Sequence, residues 1–127
     1  MSGDSQHDWR GDVETAAHRI RERAPNFLRE TPLWKLPGRA LGVDTPGVEV
    51  WLKLEHLQAS GSFKARGMMN RLLANEIPAS GAIVASGGNA GIATAAAAQA
   101  LGVPCEVFLP EVSPEAKRAR LGSLGGK

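Results

Sequence analysis

Two short stretches carry residue types that could do chemistry. SGSFKARG (60–67) sets Lys64, one of five lysines, beside Phe63 where an apolar-periodic run begins. SGGNAG (86–91) sets Gly87, Gly88 and Gly91 around Asn89. An ammonium in the first turn of a helix faces the positive end of the dipole, and a place beside Met68 on the apolar edge would desolvate it. Both effects depress the pKa of the amine and make it a nucleophile for carbonyl carbon. The plain alternative is a solvated surface lysine. Glycines ahead of a helix let backbone N–H groups approach an anion closely, whereas a tight turn would need them only for chain reversal. Asn89 could hold its amide toward a ligand, or simply tolerate a left-handed backbone.

Other candidates are weaker. The glycine loop has Ser86 where a dinucleotide fingerprint has its first glycine, although Glu111 follows at roughly the 20 residues expected of a ribose ligand. GSLGGK (122–127) has neither the spacing nor the following Ser/Thr of a phosphate-binding P-loop. His7, His18 and His56 lack metal-ligand spacing, so no metal site is expected, and His56 could at most support the lysine region. Cys105 opens an apolar run and reads as a core thiol. No Ser-His-Asp pattern and no paired-carboxylate motif stands out.

The elements that must position these residues follow from periodicity. Asp12 is expected to cap a helix over 13–24, with Val13, Ala16, Ala17 and Ile20 as its apolar stripe. Pro25 and Pro32 break the chain into an extended TPLWKLPG of low regularity. From Val48 the period changes to two, with Val50, Leu52 and Leu54 on one face and Glu49, Lys53 and Glu55 on the other. Ser62 is the expected cap of the helix carrying Ala65, Met68, Met69, Leu72 and Leu73. Beyond a turn at 79–81 come a buried strand AIVAS (82–86), the glycine loop, a small-residue helix over 92–102 and a second strand, VPCEVFLP (103–110). Ser113-Pro114-Glu115 then opens another helix, with proline at its first position. Strand, helix, strand in this order predicts a βαβ unit with a parallel sheet.

The 127 residues suffice for one modest domain or a piece of a larger protein. A net charge of +2 and few aromatic residues argue against a nucleic-acid surface. A single cysteine excludes an internal disulfide and fits a reducing compartment. Without a membrane-length apolar run or a signal peptide, a cytoplasmic protein is expected. The composition shift at 75–81 suggests a boundary: a disordered start (1–11), a first domain part (12–75) and a second (76–127). The end soon after a helix, with no closing strand, suggests a truncated sheet.

Taken together, LKLEHLQASGSFKARG (52–67), ASGGNAGIATAAAAQALGVPCEVFLP (85–110) and RETPL (29–33) resemble the fold-type II pyridoxal-phosphate enzymes, in the branch of threonine/serine dehydratases and serine racemases. The resemblance runs from about Asp12 to the end, and two motifs in order make it specific. It implies an α/β fold like the tryptophan synthase beta subunit, incomplete here, with 12–75 in the large cofactor domain and 76–127 in the small substrate domain.

That resemblance also implies roles. Lys64 would carry pyridoxal 5'-phosphate as a Schiff base, Phe63 would pack beside the ring, and Ser62 and Arg66 would complete the lysine motif. Asn89 would hydrogen-bond the phenolic oxygen, while Ser86, Gly87, Gly88, Asn89 and Ala90 would bind the substrate carboxylate. The implied reaction is β-elimination from L-threonine or L-serine to a 2-oxo acid and ammonia, in a protein that is a homo-oligomer at full length, with an amino acid as ligand and neither nucleic acid nor membrane as partner. Racemases of the group use a serine where this chain has Gly87, which disfavours that route. The family's phosphate loop and the residue facing the pyridine nitrogen would lie beyond residue 127. Competing readings are a racemase, another amino-acid lyase or a β-replacement enzyme of the same fold type. A reading of another class is a non-catalytic remnant that binds an anion or a protein partner.

Overall fold

The computed structural model describes residues 7–125. Helix α1 spans Trp9–Arg23 and is capped by Asp8, whose carboxylate accepts the Gly11 N–H at 3.0 Å. The expected cap, Asp12, instead lies in the first turn, where its charge suits the dipole. The helix therefore begins inside the stretch expected to be disordered, while residues 1–6 of that stretch lie outside the described residues. Ile20 is buried, Ala16 and Ala17 are half-buried, and Val13 is exposed, so only the later part of the stripe packs.

TPLWKLPG is more regular than its prolines suggest. Strand β1 (Leu33–Pro37) pairs antiparallel with β2 (Glu49–Lys53), with Leu33 opposite Lys53 and Pro37 opposite Glu49. Both prolines sit where no inner ladder bond is lost, one before the strand and one at its end. Val50, Leu52 and Leu54 share one half-buried side, as the period of two requires. The strand stops at Lys53, however, and the chain turns into a 3-10 turn at Glu55–Leu57. Glu55 is thereby taken off the solvent face that strict alternation assigned to it.

Helix α2 (Lys64–Leu73) buries Ala65, Met69, Leu72 and Leu73. Arg19 of α1 donates to the Asn70 side-chain oxygen, and Arg23 to the Leu73 carbonyl, both at 2.5 Å, tying α1 along α2. Strand β3 (Ala82–Ala85) and strand β4 (Cys105–Phe108) pair in parallel, Ala82 opposite Cys105 and Val84 opposite Val107. Between them runs α3 (Asn89–Leu101), so the βαβ unit is present as the element order predicted. Gly81, at φ +96°, makes the turn into β3 and lies so close to the Pro104 carbonyl that a Cβ would stand 2.2 Å from its oxygen.

Helix α3 buries Ile92, Ala93, Thr94, Ala95, Ala97 and Ala98, which cover most of its circumference. It lies between the parallel strands and α2, and alanine lets both neighbours approach. Ile20, Met69, Leu72 and Leu73 share one core with Ile92, Ala95, Val107 and Leu121, the last from α4 (Glu115–Ser123). That core draws on both sides of the boundary expected near residue 75. At the start of α4, Pro114 occupies the cap position instead of the first helical one, and its carbonyl accepts the Lys117 and Arg118 N–H groups. Cys105 is buried, and desolvation, followed by the charge of Glu106, pushes its thiol pKa up. Ile83 and Phe108 stand exposed on the opposite sheet face. No helix among the described residues is long and apolar enough to cross a membrane.

Candidate active site

The turn before Lys64 is built from unusual backbone. Ser60 has φ +63°, the one non-glycine residue in the left-handed region among those described, and Gly61 follows at φ +78°. A serine there costs about 1–2 kcal/mol, so other contacts must hold it. Arg120 of α4 donates to the Ser60 carbonyl at 2.9 Å, and the Gly61 N–H bonds to the Gln58 carbonyl at 2.8 Å. Ser62 is then fully extended, and α2 starts at Lys64. Ser62 is not the expected cap: it is buried, and its hydroxyl, like that of Ser60, has no hydrogen-bond partner. Lys64 is half-buried, with Nζ 5.0 Å from the ring centroid of the exposed Phe63.

Polar side chains tie this turn to the segment before β1. Gln58, 1% exposed, accepts the Arg29 and Ala59 N–H groups at 2.7 and 2.8 Å, and donates to the Arg29 carbonyl at 2.8 Å. Arg66, in the first turn of α2, pairs with Glu55 at two points, each 2.8 Å. Thr31 donates its hydroxyl to Glu55 at 2.5 Å, and Lys53 donates to the Thr31 carbonyl. The Arg66 hydrogen bonds hold the Glu55 pKa down at about 2 from an ordinary 4.5; partial burial opposes them, and the Thr31 hydroxyl and the two cations add to them. Arg66 is raised in turn, chiefly by its bonds to Glu55.

The glycine loop is shorter than its sequence suggests. Helix α3 begins at Asn89, so only Ser86, Gly87 and Gly88 form the loop, while Asn89 and Ala90 stand in the first turn. Gly91 lies inside the helix, where a Cβ would come within 2.4 Å of the Ser86 carbonyl oxygen and 3.1 Å of Val107. It serves close approach of helix to strand end, not chain reversal. The Ser86 hydroxyl accepts the Gly88 N–H at 3.3 Å. Gly88, at the cap position, offers no side-chain acceptor, which leaves the first-turn N–H groups of Asn89, Ala90 and Gly91 as donors without a side-chain partner. Asn89 is exposed.

Helix α3 packs against both α2 and the 3-10 turn Ala59–Gly61, which brings the two motifs to adjacent elements. A half-buried amine, a free amide and a row of uncapped N–H groups match what pyridoxal 5'-phosphate and an amino-acid carboxylate need, so the residues present fit the group. Elsewhere, His56 is exposed on its 3-10 turn, and Glu111 is exposed with its carbonyl taken by Arg118. Sequence reasoning passed over Thr31, Glu55, Gln58 and Arg120. Glu55 and Gln58 lie within the lysine motif itself, but Lys53 and His56 share that run, so no local signal set them apart.

Comparisons with known proteins agree with this geometry. Residues 25–127 match the family described as pyridoxal-phosphate dependent enzyme. The chain is 38% identical over 119 residues to L-threonine dehydratase catabolic TdcB of Staphylococcus aureus, covering 92% of this chain and 33% of that protein. The structure of maize serine racemase superposes with a TM-score of 0.78 at 28% identity, over 92% of this chain and 34% of that one. The processed form of threonine deaminase isoform 2 from Solanum lycopersicum does so at 0.71 and 28%, over 99% and 33%. This chain thus spans about a third of the length of the relatives it matches. The expected α/β architecture of fold type II holds, represented among the described residues by a two-stranded parallel sheet. On a family match that takes in both motifs and most of the chain, this protein belongs to the pyridoxal-phosphate dependent enzymes.

Proposed function

We propose that this chain contributes the lysine and the carboxylate-binding half of an enzyme that dehydrates and deaminates L-threonine or L-serine. The observation that carries the reading is the packing of α3, whose N-terminus is uncapped, against both α2 and the turn Ala59–Gly61 that leads into Lys64. Lys64 Nζ is the covalent anchor for the cofactor, with Phe63 beside it and the Asn89 amide as a hydrogen-bond donor to its phenolic oxygen. When bound, pyridoxal 5'-phosphate supplies the electron sink that makes the substrate Cα–H acidic. The N–H groups from Ser86 to Ala90 hold the substrate carboxylate and so orient that bond. Displaced from its anchoring bond by the substrate amine, the freed Lys64 Nζ takes the Cα proton as general base. The β-hydroxyl then departs as water with the proton that Lys64 Nζ returns to it, and the unsaturated product takes up water to give a 2-oxo acid and ammonia.

Elimination is favoured over racemisation by Gly87. A Cβ there would stand 3.2 Å from both Pro110 Cδ and the Ser113 hydroxyl, so a serine side chain at this position would need both to give by a few tenths of an ångström. Racemisation needs a second proton donor across from Lys64, whereas elimination needs the lysine alone. In the whole protein we assign 12–75 to the cofactor domain and 76–127 to the substrate domain, joined through the core they share. The lone buried cysteine supports a cytoplasmic site of action, and homo-oligomerisation follows the family reading. The test is 2-oxo acid release from L-threonine and from L-serine by the whole protein with cofactor. Release that disappears in Lys64→Ala is expected. Formation of the D-enantiomer without 2-oxo acid would replace this reading with racemisation.

A further inference from the structure

We propose that Glu55 is a positioning residue for Lys64: by gripping Arg66 at two points it fixes the first turn of α2, and with it the direction in which the amine is presented. The inference rests on Lys64 being the cofactor-bearing amine and adds a residue to that site. The start of α2 lacks the usual means of fixing a first turn. It has no side-chain cap, and the Ser62 hydroxyl that could have served has no partner. It also carries two cations, Lys64 and Arg66, at the positive end of the dipole, where neither is favoured.

Glu55 answers both problems. Its carboxylate neutralises Arg66 two residues beyond Lys64, in the bidentate geometry that fixes orientation as well as distance. The carboxylate is itself held from behind, because Thr31 donates to the same oxygen that Arg66 Nη2 meets, and Lys53 holds the Thr31 carbonyl. The chain from Thr31 through Glu55 to Arg66 thus links the segment before β1 to the helix that presents the amine. With a side chain 17% exposed, Glu55 is shielded well enough for the pair to keep its geometry, while Arg66 remains 42% exposed.

The experiment treats the purified chain with pyridoxal 5'-phosphate, reduces with borohydride and maps the adduct by peptide mass spectrometry, with circular dichroism followed in parallel. In the wild type, Lys64 is expected to be labelled in preference to the surface lysines Lys35 and Lys117. Glu55→Gln is expected to slow labelling of Lys64 roughly tenfold, leaving Lys35, Lys117 and the helical signal unchanged. Glu55→Asp, which keeps the charge, should recover part of the loss. A merely structural role would lower the melting temperature without altering selectivity among folded molecules. Should Glu55→Gln fail to fold, Thr31→Val is read in its place, with a drop of about threefold expected from one lost hydrogen bond. Unchanged Lys64 selectivity in a folded variant overturns the positioning role and leaves Lys64 as the anchor. A wild type labelled with no preference for Lys64 overturns both.

Discussion

Around Lys64, buried polar side chains hold a backbone that is otherwise poorly placed. Gln58 makes three hydrogen bonds, Glu55 takes three, and together they fix a turn that contains a left-handed serine. Around Ser86–Ala90 the reverse holds, since the loop is fixed by side chains that are missing. Gly91 lets the helix meet the Ser86 carbonyl, and Gly87 lets Pro110 and Ser113 close in. One half of the site therefore depends on polar satisfaction and the other on steric room. The two halves should fail differently.

The largest effect is expected in the lysine half. Gln58→Leu removes three hydrogen bonds from a buried side chain, two of them to the Arg29 backbone, and should cost about 3 kcal/mol in urea unfolding. The steric half comes next. Gly91→Ala puts a Cβ against backbone that cannot rotate away, and even after the better helix propensity of alanine it should cost about 2 kcal/mol. If Gly91→Ala proved neutral, the claim that this loop is fixed by close approach would fail.

Glu55→Gln should follow at about 1.5 kcal/mol, discounted because Arg66 is partly in water. Its effect depends on pH in a defined sense. The folded pKa of Glu55 lies below the ordinary 4.5, so its contribution is complete above that value and fades as pH falls toward about 2. Arg66, the cation that grips it, has its own pKa raised by the pairing and keeps its charge throughout. The stability difference between wild type and Glu55→Gln, followed by thermal unfolding, should therefore close across that window and stay constant above it. Ser62→Ala should have the smallest effect, within about 0.5 kcal/mol or slightly stabilising, since it removes a buried hydroxyl that has no partner. A loss well above that would reveal a bond to this hydroxyl and make Ser62 part of the brace.

The contrast also explains what could be read in the sequence. The glycine loop, the alanine helix and the parallel pair were legible because small residues, period and order are local signals. The helix start was misplaced by three residues, because a glycine at position 91 suggests a turn until the neighbouring strand shows what it accommodates. The place of Lys64 at a helix start was legible from the residues that follow it. Its brace was not, because Thr31 and Glu55, or Gln58 and Arg29, lie 24 and 29 residues apart and no local pattern pairs them. Strand β1 was missed for a related reason: Leu33–Pro37 does not alternate, and becomes a strand only through β2.

The central claim is that Lys64 and the N-terminus of α3 serve one ligand. Titrating the isotope-labelled chain with pyridoxal 5'-phosphate while recording amide spectra tests it most directly. The account predicts that resonances of Phe63–Ala65 and of Gly88–Gly91 move together, with one half-saturation concentration, and that Lys64→Ala weakens both responses. Perturbation confined to the lysine turn, or two sets moving at different concentrations, would contradict a shared site.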